Sequence, residues 1–416
     1  MCNGTIMDKL ISFSIPLMLS GILQLMFNAV DIVVVGRFSG SQALAAVGST
    51  TALINVFTNL FIGISLGANV LAARYYAAGK TKEMSETVHT AIALALVSGV
   101  AMAVIGVVFA RGALEIMGTP DDVIAKSTLY MRIYFCGMPF FMMYNYGAAI
   151  LRAVGDTKRP LIFLIVSGVI NAVLNLFLVI GFHLDVAGVG IATVISQLVS
   201  CILVLRCLHH TESSYQLHLA KLRIRSVYLK QIFEVGVPAG IQSTVINISN
   251  AMLQSSVNSF GSIAMAGYTA SNNIFGFLYV SVNSFTQACM SFTSQNYGVK
   301  KLKRMDRVLI DCMILSVVVT LILGSSVYIF GPELLHIYSN QADVIKYGME
   351  IFSYTTVTYF LCGLMDLFPG ALRGMGYSTV PMILSIIGTV GVRIIWIYGL
   401  FPSHRSLTFL FLSYPV

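Results

Sequence analysis

The sequence predicts an all-α integral membrane protein made of two tandem, parallel six-helix bundles. Three observations predict it. The 416 residues are 57% hydrophobic and only 10% charged, against about 25% charged in an ordinary soluble domain. Charge-poor windows of the roughly 20 residues that a helix needs to cross the hydrocarbon recur along the whole chain, and its second half repeats its first at a nearly constant offset.

The windows fall near 10–35, 44–73, 88–110, 127–150, 160–182 and 187–205 in the first half, and near 231–259, 262–298, 308–330, 347–371 and 381–401 in the second. A twelfth begins near Leu407 and stops at Val416. The first window is too long for a signal-peptide apolar core and no small-residue cleavage pattern follows it, so it is read as a span. Adding 221 to the sixth window, Ala187 to about Leu205, puts its counterpart at about 408–426, so the last helix is expected to be incomplete here. The seven cysteines are scattered singly without C-x-x-C spacing, which argues against a disulfide framework and a zinc site.

The repeat is explicit in "ILRAVGDTKRP" (150–160) and "ALRGMGYSTVP" (371–381), where Arg152, Gly155 and Pro160 match Arg373, Gly376 and Pro381 at an offset of 221. The same offset carries Tyr76 to Tyr297, Lys82 to Lys303 and Met84 to Met305, and an offset of 222 carries Pro16 to Pro238. Six spans per copy make the second copy enter from the same side as the first, so the repeats are parallel. The expected division is an amino-terminal lobe at 1–208, a hydrophilic connector at 209–226 and a carboxy-terminal lobe at 227–416.

Lysine and arginine collect on cytoplasmic loops. With the N-terminus inside, 18 of the 25 fall on that side, five (Arg37, Arg111, Lys126, Lys346 and Arg405) on the other, and Arg132 and Arg393 inside spans. The net charge of +8 is thus accounted for by short inner loops, with no basic domain for a nucleic acid.

Two enzyme-like strings dissolve on inspection. "AAGKT" (77–81) lacks the first glycine of a phosphate-binding loop, that position being Arg74. "GISLG" (63–67) fits G-x-S-x-G, but Ser65 lies in a span and every histidine lies in a loop or at a span end, so the glycines read as small-residue helix packing. No catalytic residue, cofactor or enzyme activity is expected, and without ATP machinery uphill transport must draw on an ion gradient or the membrane potential.

The acids inside spans are more informative. A central aspartate costs about 2.5–3.5 kcal/mol to insert, so intramembrane carboxylates usually face a bundle interior and carry function. Asp31 and Asp366 are the clearest cases. For Asp31 the alternative is a structural pairing with a cation such as Arg37. For Asp366 an ion pair with Arg373 competes with a transport role. Arg132 and Arg393 can be partners of such acids or can snorkel to the membrane surface. Asn171 and Asn175, at i and i+4 on one helix face, could form with Thr193 and a carboxylate an oxygen cage for a hard cation; interhelical hydrogen bonding is the alternative.

The strings "FSIPLMLSGILQLMFNAVDIVVVGRFSGSQALAAVGS" (13–49), "AILRAVGDTKRP" (149–160), "NAVLNLFLV" (171–179), "VAGVGIATVISQ" (186–197) and "ALRGMGYSTVP" (371–381) resemble the multidrug and toxic compound extrusion (MATE) family from about residue 5 to 416. The resemblance implies a MATE-type fold and cation-coupled antiport, with a proton or sodium gradient driving out organic, often cationic, molecules. The family's first-helix acid falls on Asp31, and its amino-terminal cation cluster on Asn171, Asn175, Thr193 and Asn145. Sodium would sit among Asp31, Asn171, Asn175 and Thr193. Many members carry Asp where this chain has Asn175, so Asp31 is the only charged member of the cluster, and Asp366 lies about one helical turn out of register with the second-lobe acids of some branches. A monomer in the inner (plasma) membrane, multi-pass and with a cytoplasmic N-terminus, is expected. A lipid-linked oligosaccharide flippase of the same architecture is the alternative; its pyrophosphate would demand basic cavity residues, of which only Arg132 and Arg393 lie in spans.

Overall fold

In the computed structural model the described residues, 1–356, 358–403 and 406–413, form helices and connecting turns without a strand. Val357 of the tenth window, Arg405 of the expected outer loops and 414–416 of the expected last helix lie outside the described residues. The first half holds α1 (Met7–Phe38), α2 (Ser41–Ala77), α3 (Thr81–Ile116), α4 (Asp121–Cys136), α5 (Met138–Ala153), α6 (Lys158–Leu176) and α7 (Asp185–His210). The second holds α8 (Ser226–Asn258), α9 (Ser262–Gly298), α10 (Leu302–Ile329), α11 (Gly331–His336), α12 (Ala342–Thr355), α13 (Tyr359–Gly374), α14 (Thr379–Ser385), α15 (Val392–Ile395) and α16 (Leu407–Phe411).

Every apolar window therefore lands on helix, but fewer helices than windows would be recognised as spans one at a time. Among the described residues seven helices are long and apolar enough by themselves, eight if α12 and α13, bent by 53° across their break, count as one. The others fall short for two reasons. The window 127–150 is split at Gly137, with Pro139 opening α5, so neither α4 nor α5 reaches spanning length. α8 and α9 are long enough but are diluted by uncharged polar residues, such as Gln242, Ser249 and Asn250 in α8 and Asn283, Gln287 and Gln295 in α9.

The repeat is visible in the turns. Gly40 and Gly261 (φ 86° and 98°), Gly155 and Gly376 (φ 100° and 97°), and Gly79 and Lys300 (φ 67° and 59°) are pairs separated by 221, each in the left-handed region. Glycine meets that requirement without steric cost; Lys300 meets it with a side chain.

Contacts divide the chain into two compact units, Leu19–Gly240 and Met1–Met18 with Ile241–Val416. Their boundaries fall inside the continuous helices α1 and α8, next to Pro16 and Pro238. A proline removes one rung of a helix and frees a carbonyl, which makes these the points where a long helix changes neighbours at least cost.

In the unit Leu19–Gly240, helices approach through glycines. A β-carbon at Gly63 of α2 would stand 2.3 Å from the Gly240 backbone, and one at Gly236 of α8 2.5 Å from the Ile64 backbone. Gly67 and Gly240 are equally tight, at 2.1 Å from the Ile232 carbonyl and 2.4 Å from the Leu60 carbonyl. The "GISLG" glycines thus face the glycines of "GVPAG" (236–240), the close small-residue crossing read from the sequence. Gly99 lies against Pro139 and Gly106 under the Phe135 ring, which brings α3 onto α4 and α5. "AAGKT" is the end of α2: Lys80 N–H returns to the Tyr75 carbonyl at 3.1 Å, and nothing phosphate-like is built there.

The connector is docked on the same unit. Leu217 is fully buried, His218 N–H donates to His89 Nε2 at 3.1 Å, and Arg223 and Arg225 both pair with Glu86. Lys221 stays exposed.

The other unit is organised around α9, α10 and α13. Leu10, Phe13 and Leu17 of α1 pack with Phe285, Cys289, Phe292, Val308, Cys312 and Leu367. Gly363 sits against Ser316 and Gly374 against the Met290 carbonyl. Trp396 stacks on Phe409 at 4.8 Å and donates to its carbonyl at 2.9 Å.

Candidate functional site

The Leu19–Gly240 unit brings three of the expected residues together. Asn175 Nδ2 donates to Asp31 Oδ1 and also to Asn171 Oδ1, at 3.2 Å. The helical i, i+4 spacing delivers both amides to one face of α6, and that face meets α1. Contacts pass from Phe27 to Asp31 on α1 as they pass from Gly168 to Asn175 on α6, in the same chain direction, so the two helices run parallel here. The approach depends on Gly168, where a β-carbon would fall 1.9 Å from the Phe27 ring.

Asn171 and Asn175 are buried. Asn175 Oδ1 is enclosed and accepts no hydrogen bond, so its amide spends both donor contacts on neighbouring oxygens while its own oxygen stays unsatisfied. Two residues on, at Phe177–Gly181, the helix widens into a π segment, a local unwinding often found at functional positions.

The cation partner considered for Asp31 is not there: among the described residues no ion pair joins it to Arg37, and its partner is the neutral Asn175. Thr193 and Asn145 are not drawn into this network. Thr193 Oγ1 donates to the Val189 carbonyl at 2.9 Å and Asn145 Nδ2 to the Phe141 carbonyl at 2.8 Å, each within its own helix.

Two residues outside the expected set do approach. Tyr130 and Tyr134 of α4 lie within electrostatic range of Asp31. They are held by the α4·α7 crossing, where a β-carbon at Gly190 would touch Ile133 and Tyr130, and one at Gly137 would meet Gln197 and Val194. Their i, i+4 spacing within one window was the only signal available in the sequence, and an aromatic pair of that spacing is more often simple packing.

In the other unit Asp366 lies within electrostatic range of Arg373 and Tyr279, but no contact of 4 Å or less joins the two charges among the described residues. Arg373 Nη2 instead donates to Gln242 Oε1 at 2.5 Å. Arg393 is buried and donates through Nη1 to Ser249 Oγ at 3.1 Å and to Asn250 Oδ1 at 2.7 Å. Arg132 is exposed and bonds the Val107 carbonyl at 3.1 Å, and among the described residues no ion pair joins it to either acid.

The MatE family model matches residues 16–177 and again 238–398, most of the chain and both copies of the repeat. The chain belongs to the MatE family. MatE relatives extend along nearly its whole length: a probable multidrug resistance protein, YoeA, of Bacillus subtilis is 30% identical over 92% of this chain and 84% of its own. The multidrug export protein MepA of Staphylococcus saprophyticus is 23% identical over 96% and 89%. A solved MATE-family transporter in an outward-facing conformation superposes with a TM-score of 0.91 at 20% identity, covering 99% of this chain and 92% of that one; at that identity the likeness concerns the fold. The expected MATE fold is thus the one found, and MatE proteins are membrane transporters, not enzymes.

Proposed function

We propose that this MatE protein is a secondary active antiporter that exports small organic molecules, cationic ones among them, in exchange for protons or sodium ions, and that Asp31 is its coupling group. The observation that carries the reading is the Asp31–Asn175–Asn171 network on an apolar span: a carboxylate that makes no ion pair among the described residues, held by an amide donor, on a helix where a charge is costly. The multidrug names of its relatives support the substrate class.

The amide explains how one carboxylate can serve two states. With Asn175 Nδ2 turned to Asp31, the ionised carboxylate has a donor in place of a cation. Rotating the Asn175 amide by half a turn exchanges its nitrogen and its oxygen, since the two ends are nearly isosteric. The now unsatisfied Oδ1 would then join Asp31 and Asn171 Oδ1, three oxygens facing one point, the donor set that a hard cation takes. A proton on Asp31 would satisfy the same geometry with one fewer ligand. Thr193 and Asn145 bond to their own helices, and the reading gives them no direct ligand role.

Uptake of fluorescent organic cations into everted vesicles, under imposed proton or sodium gradients, tests this reading. Accumulation indifferent to both gradients would sink it. Asn175→Asp gives the coupling cluster a second negative ligand and is expected to increase sodium dependence; an unchanged sodium response would remove Asn175 from the ion site.

The proposed orientation has a cytoplasmic N-terminus in the cell's inner membrane, with the chain acting as a monomer. Arg223 and Arg225 are tied to Glu86, so Lys221 is the open trypsin site of the connector. Trypsin added to inside-out vesicles is expected to cut there and to leave two halves; cutting only in right-side-out vesicles reverses the orientation.

A further inference from the structure

The two copies of the repeat use the same pair of helices to hold opposite charges. In the first copy the first helix (α1) offers Asp31 to the fifth (α6), through Asn175. In the second copy the corresponding helices are α8 and the segment from α14 through α15. There the charge sits on the fifth helix, as Arg393, and the neutral oxygens on the first, as Ser249 and Asn250.

The registers can be compared directly. "NAVD" (28–31) aligns with "NAML" (250–253) at the offset 222 that also matches Pro16 to Pro238. Asp31 is therefore replaced by Leu253, and Asn250 stands three residues earlier. On the fifth helix Arg393 follows Pro381 by the twelve residues that separate Ala172 from Pro160. Asn175 is thus replaced by Trp396, and Arg393 also stands three residues earlier. Both members of the second pair stand three residues, about 4.5 Å of helix rise, before the counterparts of Asp31 and Asn175, with Asn250 itself matching Asn28. The unwinding is kept as well: Arg393 lies between π segments at Ile386–Gly391 and Trp396–Leu400, the second overlapping 398–402, the counterpart of the π segment at Phe177–Gly181.

Arg393 is 7% exposed, whereas Asn250, which takes its shorter bond, is exposed, so the pair is reached from the Asn250 side. A guanidinium inside a span costs about as much as a carboxylate there and carries the same presumption of function. Its planar fork is suited to bidentate binding of a carboxylate or phosphate.

We infer that the Arg393–Ser249–Asn250 cluster of the second copy is a recognition site for an anionic oxygen group, a carboxylate above all, carried by the exported molecule. Cargo that bears such a group, zwitterions included, is held at Arg393, while Asp31 in the first copy serves the coupling ion. Export of the bound molecule rests on the antiport reading, whereas its binding at Arg393 does not.

The test uses two dyes that differ at one position, rhodamine 110 with a free carboxylate and rhodamine 123, its methyl ester. Binding to the full-length protein is measured at equilibrium in phosphatidylcholine vesicles with no gradient, so no anionic lipid competes and a failure of efflux cannot be confused with a failure of recognition. The wild type is expected to prefer rhodamine 110. Arg393→Met should weaken rhodamine 110 about tenfold or more, the effect of losing one charge-assisted pair, and leave rhodamine 123 unchanged, which also reports that the variant is folded. Asn250→Asp supplies an internal carboxylate to Arg393 and should weaken rhodamine 110 selectively without leaving a buried charge exposed to hydrocarbon; Arg393→Lys should retain part of the preference. Equal affinity for the two dyes, no measurable binding of rhodamine 110, or a parallel loss of both in Asn250→Asp overturns the inference.

Discussion

Asp31→Asn is expected to reduce gradient-driven efflux to the background of vesicles lacking the protein, at normal expression and with substrate binding retained. The variant should fold. Asn keeps an oxygen that can accept from Asn175 Nδ2, the bond the carboxylate now takes, and removing the charge removes an insertion cost of about 2.5–3.5 kcal/mol. Exchanging a charge-assisted bond for a neutral one gives back on the order of 1 kcal/mol of that gain. What is lost is the ability to exist in two charge states, and an antiporter whose coupling group cannot be loaded and emptied has nothing to exchange. The measurement is dye efflux across a range of external pH and sodium concentration, beside equilibrium binding of the same dye. Efflux at the wild-type rate throughout that range would return Asp31 to a structural role.

Gly63→Ala and Gly236→Ala are expected to destabilise the protein strongly, each by about 1–3 kcal/mol or more, the cost of forcing atoms into a packed interior. The reason is local: the added β-carbons would stand 2.3 Å from Gly240 and 2.5 Å from Ile64, and in both cases the obstacle is backbone, which cannot change rotamer. A control lies in the same unit. Gly112 of α3 is exposed and a β-carbon there meets nothing within 4 Å, so Gly112→Ala should be neutral or slightly stabilising through helix propensity. Thermal unfolding of the three variants in one detergent decides the matter. If Gly63→Ala and Gly236→Ala melt with Gly112→Ala, α2 and α8 do not approach so closely that a β-carbon meets backbone at 2.3–2.5 Å.

Periodicity and composition made the helices legible, because crossing hydrocarbon requires long charge-poor segments with their backbone bonds satisfied internally. The same criterion hid details that depend on neighbours. Gly137 and Pro139 divide the fourth window into α4 and α5, and a window average does not register one glycine beside one proline. The polar content of α8 and α9 lowers their apolar signal, although they pack as continuous helices. Asp31 stood out from sequence because a lone acid in a long apolar run has few cheap explanations, and Asn171 and Asn175 because their spacing puts them on one face.

The sequence by itself determined the class of protein, the duplication and the acid worth testing, since each is written in linear order as hydropathy, a repeated offset and a charge out of place. Only the tertiary structure decided which polar groups meet. It turned Asn175 onto Asp31 and left Thr193 and Asn145 on their own helices. It brought Tyr130 and Tyr134 toward the acid, and it set Arg393 against Ser249 and Asn250, 143 or more residues away in the chain. Which side chain a polar group finds across a helix crossing depends on a rotation and a translation of a few ångströms, set here by glycines such as Gly168 and Gly190 that let particular helices touch. Those distances belong to pairs of surfaces, and one helix's residues do not contain its neighbour's position.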